Sequence, residues 1–149
     1  MRVAELMTLD PVTVAPAATV AEARVIAEGL GVHHLPVVDG RVLVGMLTER
    51  ELWNDAADVL RAVAGFRASK GSPQDRAVRS VMQSAYPTVR PELTVQTAAQ
   101  LLLLKERTGV AVVDTRSRLV GILTVSDLRR VQVRDGAGEQ EPGLRLVDG

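Results

Sequence analysis

Two short stretches place a hydroxyl and a carboxylate three residues apart at what reads as the start of a helix. They are Thr48 with Glu51 in Gly45-Met46-Leu47-Thr48-Glu49-Arg50-Glu51, and Thr124 with Asp127 in Gly121-Ile122-Leu123-Thr124-Val125-Ser126-Asp127. In the plainer reading each is a capping box, the threonine accepting from the third helical N–H and the acid reaching back to the cap's own N–H. In the functional reading the same groups suit a nucleotide: a carboxylate accepts from both hydroxyls of a ribose, and a helix N-terminus favours a phosphate. Ser126, Asp127 and a histidine can also be drawn as a hydrolytic triad. That reading is weak, because Ser126 and Asp127 are neighbours in one helical turn and no Gly-x-Ser-x-Gly or oxyanion loop is present. The sequence therefore assigns no catalytic residue. His33 and His34 invite a metal, but adjacent strand residues point to opposite faces and no cysteine joins them, so no metal site is assigned.

Composition narrows the partners. The 149 residues carry 18 Lys and Arg against 18 Asp and Glu, which lacks the basic excess of a nucleic-acid binder. One Trp, one Tyr and one Phe leave little for base stacking along a single strand. The absence of cysteine excludes disulfides and thiolate metal sites and suits the cytoplasm. No apolar run approaches the ~18 residues that span a membrane, and Met1-Arg2 does not open a signal peptide. A soluble cytoplasmic protein without nucleic-acid or membrane partners is expected.

The elements that must position the two threonine–acid pairs come in two matched sets. Val3 to Met7 reads as an amphipathic turn and Val12-Thr13-Val14 as a strand ended by Pro16. Thr19 caps a helix with Val20, Ala23, Ala27 and Leu30 on one face, stopped by Gly29 and Gly31. His34–Val38 and Arg41–Leu47 form a hairpin about Asp39-Gly40, and the Thr48 helix follows, running on through Val59-Leu60. At an offset of 75 (82 − 7) Met7 matches Met82, Thr13 matches Thr88, Thr19 matches Thr94 and Asp39 matches Asp114. After one extra residue in the second hairpin turn, Gly45 matches Gly121 and Thr48 matches Thr124 at 76 (124 − 48). An insertion confined to a turn marks a duplication. Two copies are too few for a solenoid, so they should pack on each other and leave a cleft between them. The boundaries read as 1–64 for the first repeat, 65–77 for a linker, 78–133 for the second repeat and 134–149 for a tail.

The Met7 and Met82 openings, Leu35-Pro36-Val37-Val38-Asp39 and the two Gly-h-h-Thr-x-x-acid turns resemble a tandem pair of CBS domains, a Bateman module, over residues 1 to about 133. The resemblance implies an α/β (α+β) fold of two β-α-β-β-α repeats related by a pseudo-two-fold axis, with three-stranded sheets. It further implies a regulatory module without catalysis, which senses AMP, ADP, ATP or S-adenosylmethionine in two inter-repeat clefts. No obligatory cofactor follows from it. Carried over residue by residue, Asp127 and Thr124 hold the ribose in one cleft, and Glu51 and Thr48 in the other. Thr13 and Thr88 line base or ribose, and Gly109 and Ala111 leave room where the first repeat has His34 and Pro36. Glu51 departs from the usual aspartate, which ranks the Asp127 cleft first. Asp127→Ala is expected to abolish binding with folding intact, and Glu51→Ala to loosen a cap by ~1 kcal/mol. Leu101-Leu102-Leu103-Leu104, apolar around most of a helix, reads either as buried between the lobes or as a homodimer contact, the latter being what the resemblance favours. An effector protein of unknown identity is expected to respond, and a ligand-free dimerisation scaffold is the alternative.

Overall fold

The computed structural model describes residues 1–53, 63–65 and 75–136, with side chains as far as Val131. In chain order the elements are α1 (Val3–Leu6), β1 (Thr8–Leu9), α2 (Val20–Leu30), β2 (His34–Asp39), β3 (Val42–Thr48) and α3 (Glu49–Trp53). A 3-10 turn (Val78–Ser80) leads to β4 (Thr88–Val89), α4 (Val95–Lys105), β5 (Gly109–Val113), β6 (Leu119–Thr124) and α5 (Val125–Gly136). This is the mixed α/β architecture the duplication implies. The distal part of the Thr48 helix, most of the linker and the tail beyond Gly136 lie outside the described residues.

The long helices form where their caps dictate. Thr19 accepts from the Glu22 N–H at 3.1 Å and Thr94 from the Thr97 N–H at 3.2 Å, each satisfying a backbone donor that the first turn cannot. Helix α2 runs through Gly29 and ends at Gly31, whose left-handed φ of 65° closes the last turn. At the matching place (31 + 75 = 106) α4 ends on Glu106 with φ 53°, a conformation a side chain disfavours.

The sheets depart from the three-stranded expectation. Strands run β1-β6-β5-β4 in one sheet and β2-β3 in the other. Of the strand expected at Val12–Val14, only Val14 pairs, in a parallel bridge to Val37; Pro11 has no N–H to give, and pairing moves forward to Thr8–Leu9. Strand β1 crosses to the other repeat, Thr8 facing Ile122 and Leu9 facing Gly121. Its counterpart is a bridge between Gln83 and Met46, so each sheet is completed by the other repeat's opening segment. The close crossing explains both turn glycines. A Cβ on Gly121 would lie 2.7 Å from Met7 Sδ and 2.9 Å from the Thr8 carbonyl, and one on Gly45 would meet Met82 and Gln83.

The core is exchanged in the same way. Val3 and Leu6 of α1 pack with Val89, Ala98, Leu102, Val110, Val112 and Leu123 of the second repeat. Val78 packs with Val14, Ala23, Ala27, Leu35, Val37, Leu47 and Leu52 of the first. Burying a valine contributes about 1.5–3 kcal/mol, so each lobe is stabilised by the other's first turn. A third cluster, Met46, Tyr86, Ala111 and Ile122, sits where the two sheets meet. At the axis itself Val42 bridges its own counterpart Arg118 (42 + 76 = 118). Helix α4 is not buried all round: Leu102 is buried, while Leu103 and Leu104 are 70% and 82% exposed.

Candidate functional site

Asp127 is buried because β6 delivers it into the first turn of α5 directly beneath the crossing strand β1. Its Oδ2 accepts from the Thr124 N–H at 2.9 Å and the Thr124 hydroxyl at 3.3 Å. Its Oδ1 accepts from the Thr8 hydroxyl at 3.0 Å and from Arg130 Nη2 at 2.5 Å. The same guanidinium donates to the Leu6 carbonyl at 3.3 Å. Arg130 therefore holds the acid and the end of α1 together. One carboxylate thus closes its own helix and binds the two repeats to each other, so Asp127→Ala carries a folding cost, against the expectation of intact folding.

Glu51 repeats the pattern with a longer arm. A single oxygen, Oε1, accepts from the Thr48 N–H at 2.7 Å, the Thr48 hydroxyl at 2.8 Å and Gln83 Nε2 at 3.0 Å. Gln83 stands where Thr8 stands in the first repeat (8 + 75 = 83) and supplies the same cross-repeat bond. A recess of about 550 Å³ opens beside Glu51, lined by Val20, Arg24, Arg50, Arg76, Val81 and Gln83. Arg24 is committed within it, its Nε donating to the Leu52 carbonyl and its guanidinium lying 5.4 Å from the Trp53 ring centre.

Between the two acids, the space beside Gly109 is taken up. Where Gly109 has no side chain, the His34 ring lies against it, and a Cβ there would stand 2.8 Å from Nε2. His34 Nε2 is also 3.2 Å from the Thr108 hydroxyl. Burial lowers the pKa of His34 below the usual 6.5, the charge on His33 adds to this, and Glu49 and Glu51 oppose it. His33 itself is exposed and bonds Glu49. Tyr86, buried at 7% exposure, donates its hydroxyl to the Gly109 carbonyl at 2.7 Å, with Arg107 5.1 Å from the ring centre. Burial raises the Tyr86 pKa above 10.0, with Arg107 opposing and Glu51 adding.

The remaining sequence-derived residues fall around this centre. Thr88, on β4, pairs with the buried Ala111, and it lines a separate recess of about 530 Å³ with Val89, Arg90, Glu92, Leu93 and Leu101. Thr13 is half-buried just before the Val14 bridge, and Pro36 is buried on β2. The structure brings Thr124, Asp127 and Thr8 into contact on one side, and Thr48, Glu51 and Gln83 on the other. Among the described residues no cluster of three or more His, Cys, Asp or Glu could hold a metal ion.

The CBS domain model matches residues 3–52 and 78–134. The chain belongs to the CBS domain family. It is 31% identical over 126 residues to the CBS domain-containing protein YhcV of Bacillus subtilis, covering 85% of this chain and 81% of that one. It is 30% identical over 138 residues to inosine-5'-monophosphate dehydrogenase of Korarchaeum cryptofilum, covering 93% of this chain but spanning only 26% of the dehydrogenase. Among solved structures, CBSX2 in complex with AMP matches with a TM-score of 0.75 at 27% identity, over 89% of this chain and 96% of that one. The CBS domain pair of MJ0100, at 24% identity and a TM-score of 0.73 over 88% and 98% of the two chains, shares the fold.

Within this CBS pair, sequence reasoning missed Thr8, Gln83 and Tyr86. The first two were within reach, because each directly follows its repeat's methionine and the matching offset pairs them. Tyr86 was signalled only as a break in the repeat, standing where the first copy has Pro11 (86 − 75 = 11).

Proposed function

We propose that this CBS pair is a regulatory module that binds an adenosine-bearing ligand at the Asp127 cleft. The observation that carries the reading is the Thr8–Asp127 bond: the carboxylate that suits a ribose also joins the two repeats. Two ribose hydroxyls donating to Asp127 would compete with the Thr8 hydroxyl and Arg130, so ligand binding exchanges an internal clamp for an external one. A ligand regulates only through such a difference in affinity between two arrangements. The AMP complex of CBSX2 supports the ligand class. The exposed Val25, Leu30, Leu103 and Leu104 support a homodimer through helix faces, whose angle an effector protein then reads.

One observation favours a second reading, a ligand-free dimerisation scaffold. Every oxygen of Asp127 is already served by an internal donor. Calorimetric titration with AMP, ATP and S-adenosylmethionine in turn separates the two, with Asp127→Asn as the control that keeps the side chain's shape. Saturable micromolar binding of one compound, weakened at least about tenfold in the variant, supports the sensor. Silence with all three, from folded protein stripped of co-purified ligand, supports the scaffold. Light scattering on Leu103→Glu/Leu104→Glu tests the dimer face, the expected result being a monomer from a wild-type dimer.

A further inference from the structure

The two sides of the module differ most in one side chain, that of Tyr86, the chain's sole tyrosine. Its ring packs with Met46 of β3 on the first repeat and Ala111 of β5 and Ile122 of β6 on the second, and Gln83, three residues before it, bridges Met46 and bonds Glu51, so the ring is wedged between the repeats on the side of Glu51. The Arg107 guanidinium lies over the ring, and the hydroxyl ends on the Gly109 carbonyl. An apolar slot between two sheets, with a cation over the ring face and a backbone acceptor at the end, is what an aminopurine requires: the ring stacks and the exocyclic amine donates. Tyr86 satisfies both requirements from within the chain.

We propose that Tyr86 is a built-in plug, which fills the base slot on the Glu51 side and limits the module to one adenosine-bearing ligand per chain, held at Asp127. The inference rests on the nucleotide-site reading above and adds which cleft is closed and by what. The register supplies its second support. On the Asp127 side the counterpart of Tyr86 is Pro11, which has neither an aromatic face nor a hydroxyl donor, and nearby Leu9 and Val12 are 65% and 40% exposed. A tethered ring also loses no translational freedom on filling the slot, so a free base competes at a disadvantage. Glu51 and the arginine-lined recess beside it would then serve a ligand only once the ring is gone.

Equilibrium dialysis against labelled AMP at saturating concentration counts ligands per chain for wild type, Tyr86→Phe, Tyr86→Ala and Tyr86→Ala/Asp127→Asn. The plug predicts one, one, two and one. Tyr86→Phe keeps the ring and should not open the slot, which separates plugging from loss of the hydroxyl. Two AMP per wild-type chain overturns the plug and leaves the nucleotide-site reading standing, as does one AMP in a folded Tyr86→Ala. Should Tyr86→Ala fail to fold by circular dichroism, Tyr86→Val, which removes the ring but keeps an apolar side chain, takes its place with the same expected count of two. No AMP on wild type but one on Tyr86→Ala upholds the plug and refutes the Asp127 cleft, and no binding to any form refutes both.

Discussion

Replacing Asp127 by alanine removes an acceptor on which three separate elements depend, and the cost can be assembled from its bonds. Loss of the Thr124 N–H acceptor at the start of α5 costs about 1 kcal/mol, as for other helix caps. The Thr8 hydroxyl loses a carboxylate partner at a part-buried crossing, worth about 1–1.5 kcal/mol. Arg130 is 60% exposed and returns to water, so its pair with Asp127 adds at most about 0.5 kcal/mol. The sum is roughly 2–3 kcal/mol, a large part of the stability of a domain this size. Equilibrium urea unfolding of wild type, Asp127→Ala, Thr8→Val and the double variant measures it. The two substitutions should be non-additive by about 1 kcal/mol, because the shared bond joins them across the repeats. An Asp127→Ala midpoint equal to wild type, or strict additivity with Thr8→Val, would refute the clamp.

Gly121→Ala should destabilise by about 2–3 kcal/mol in the same assay and by more than Gly45→Ala. Its new Cβ meets the backbone carbonyl of Thr8 at 2.9 Å, whereas Gly45 faces the flexible Met82 side chain and a carbonyl at 3.2 Å. Glu106→Gly should stabilise by about 1 kcal/mol by relieving the left-handed φ of 53° at the end of α4, read as a raised melting temperature. Because the folded-state pKa of His34 lies below its unfolded value of 6.5, the folded form binds a proton less readily than the unfolded chain. Stability should therefore fall as the pH drops below 6.5 and level off beneath the folded pKa, and His34→Gln should flatten that part of a urea-midpoint profile against pH.

Much of this architecture could be read from the chain because the repeat supplied it twice. Thr19 and Thr94 announced their helices as caps, Asp39-Gly40 announced a hairpin, and the 75-residue register tied each feature to a twin. The crossing itself could not be read: the register pairs Thr8 with Gln83, but nothing local shows that each lies against the other repeat's β strand. The same applies to Arg130, whose place three residues after Asp127 suggests a local helix pair, and whose bond to the Leu6 carbonyl depends on tertiary structure. At the site, the small side chains of Gly109 and Ala111 suggest room, but the structure fills it. What fills it, His34 against Gly109 and Tyr86 beside Ala111, comes from distant parts of the sequence.

On the proposed reading, an adenosine-bearing ligand bridges the repeats at Asp127. Amide chemical shifts followed during titration with AMP test it most directly. Saturable shifts should concentrate at Thr8–Thr13 and Thr124–Arg130, with the Glu51 turn nearly still. Shifts centred on Thr48–Glu51 and Tyr86, or none in a folded protein, would contradict it.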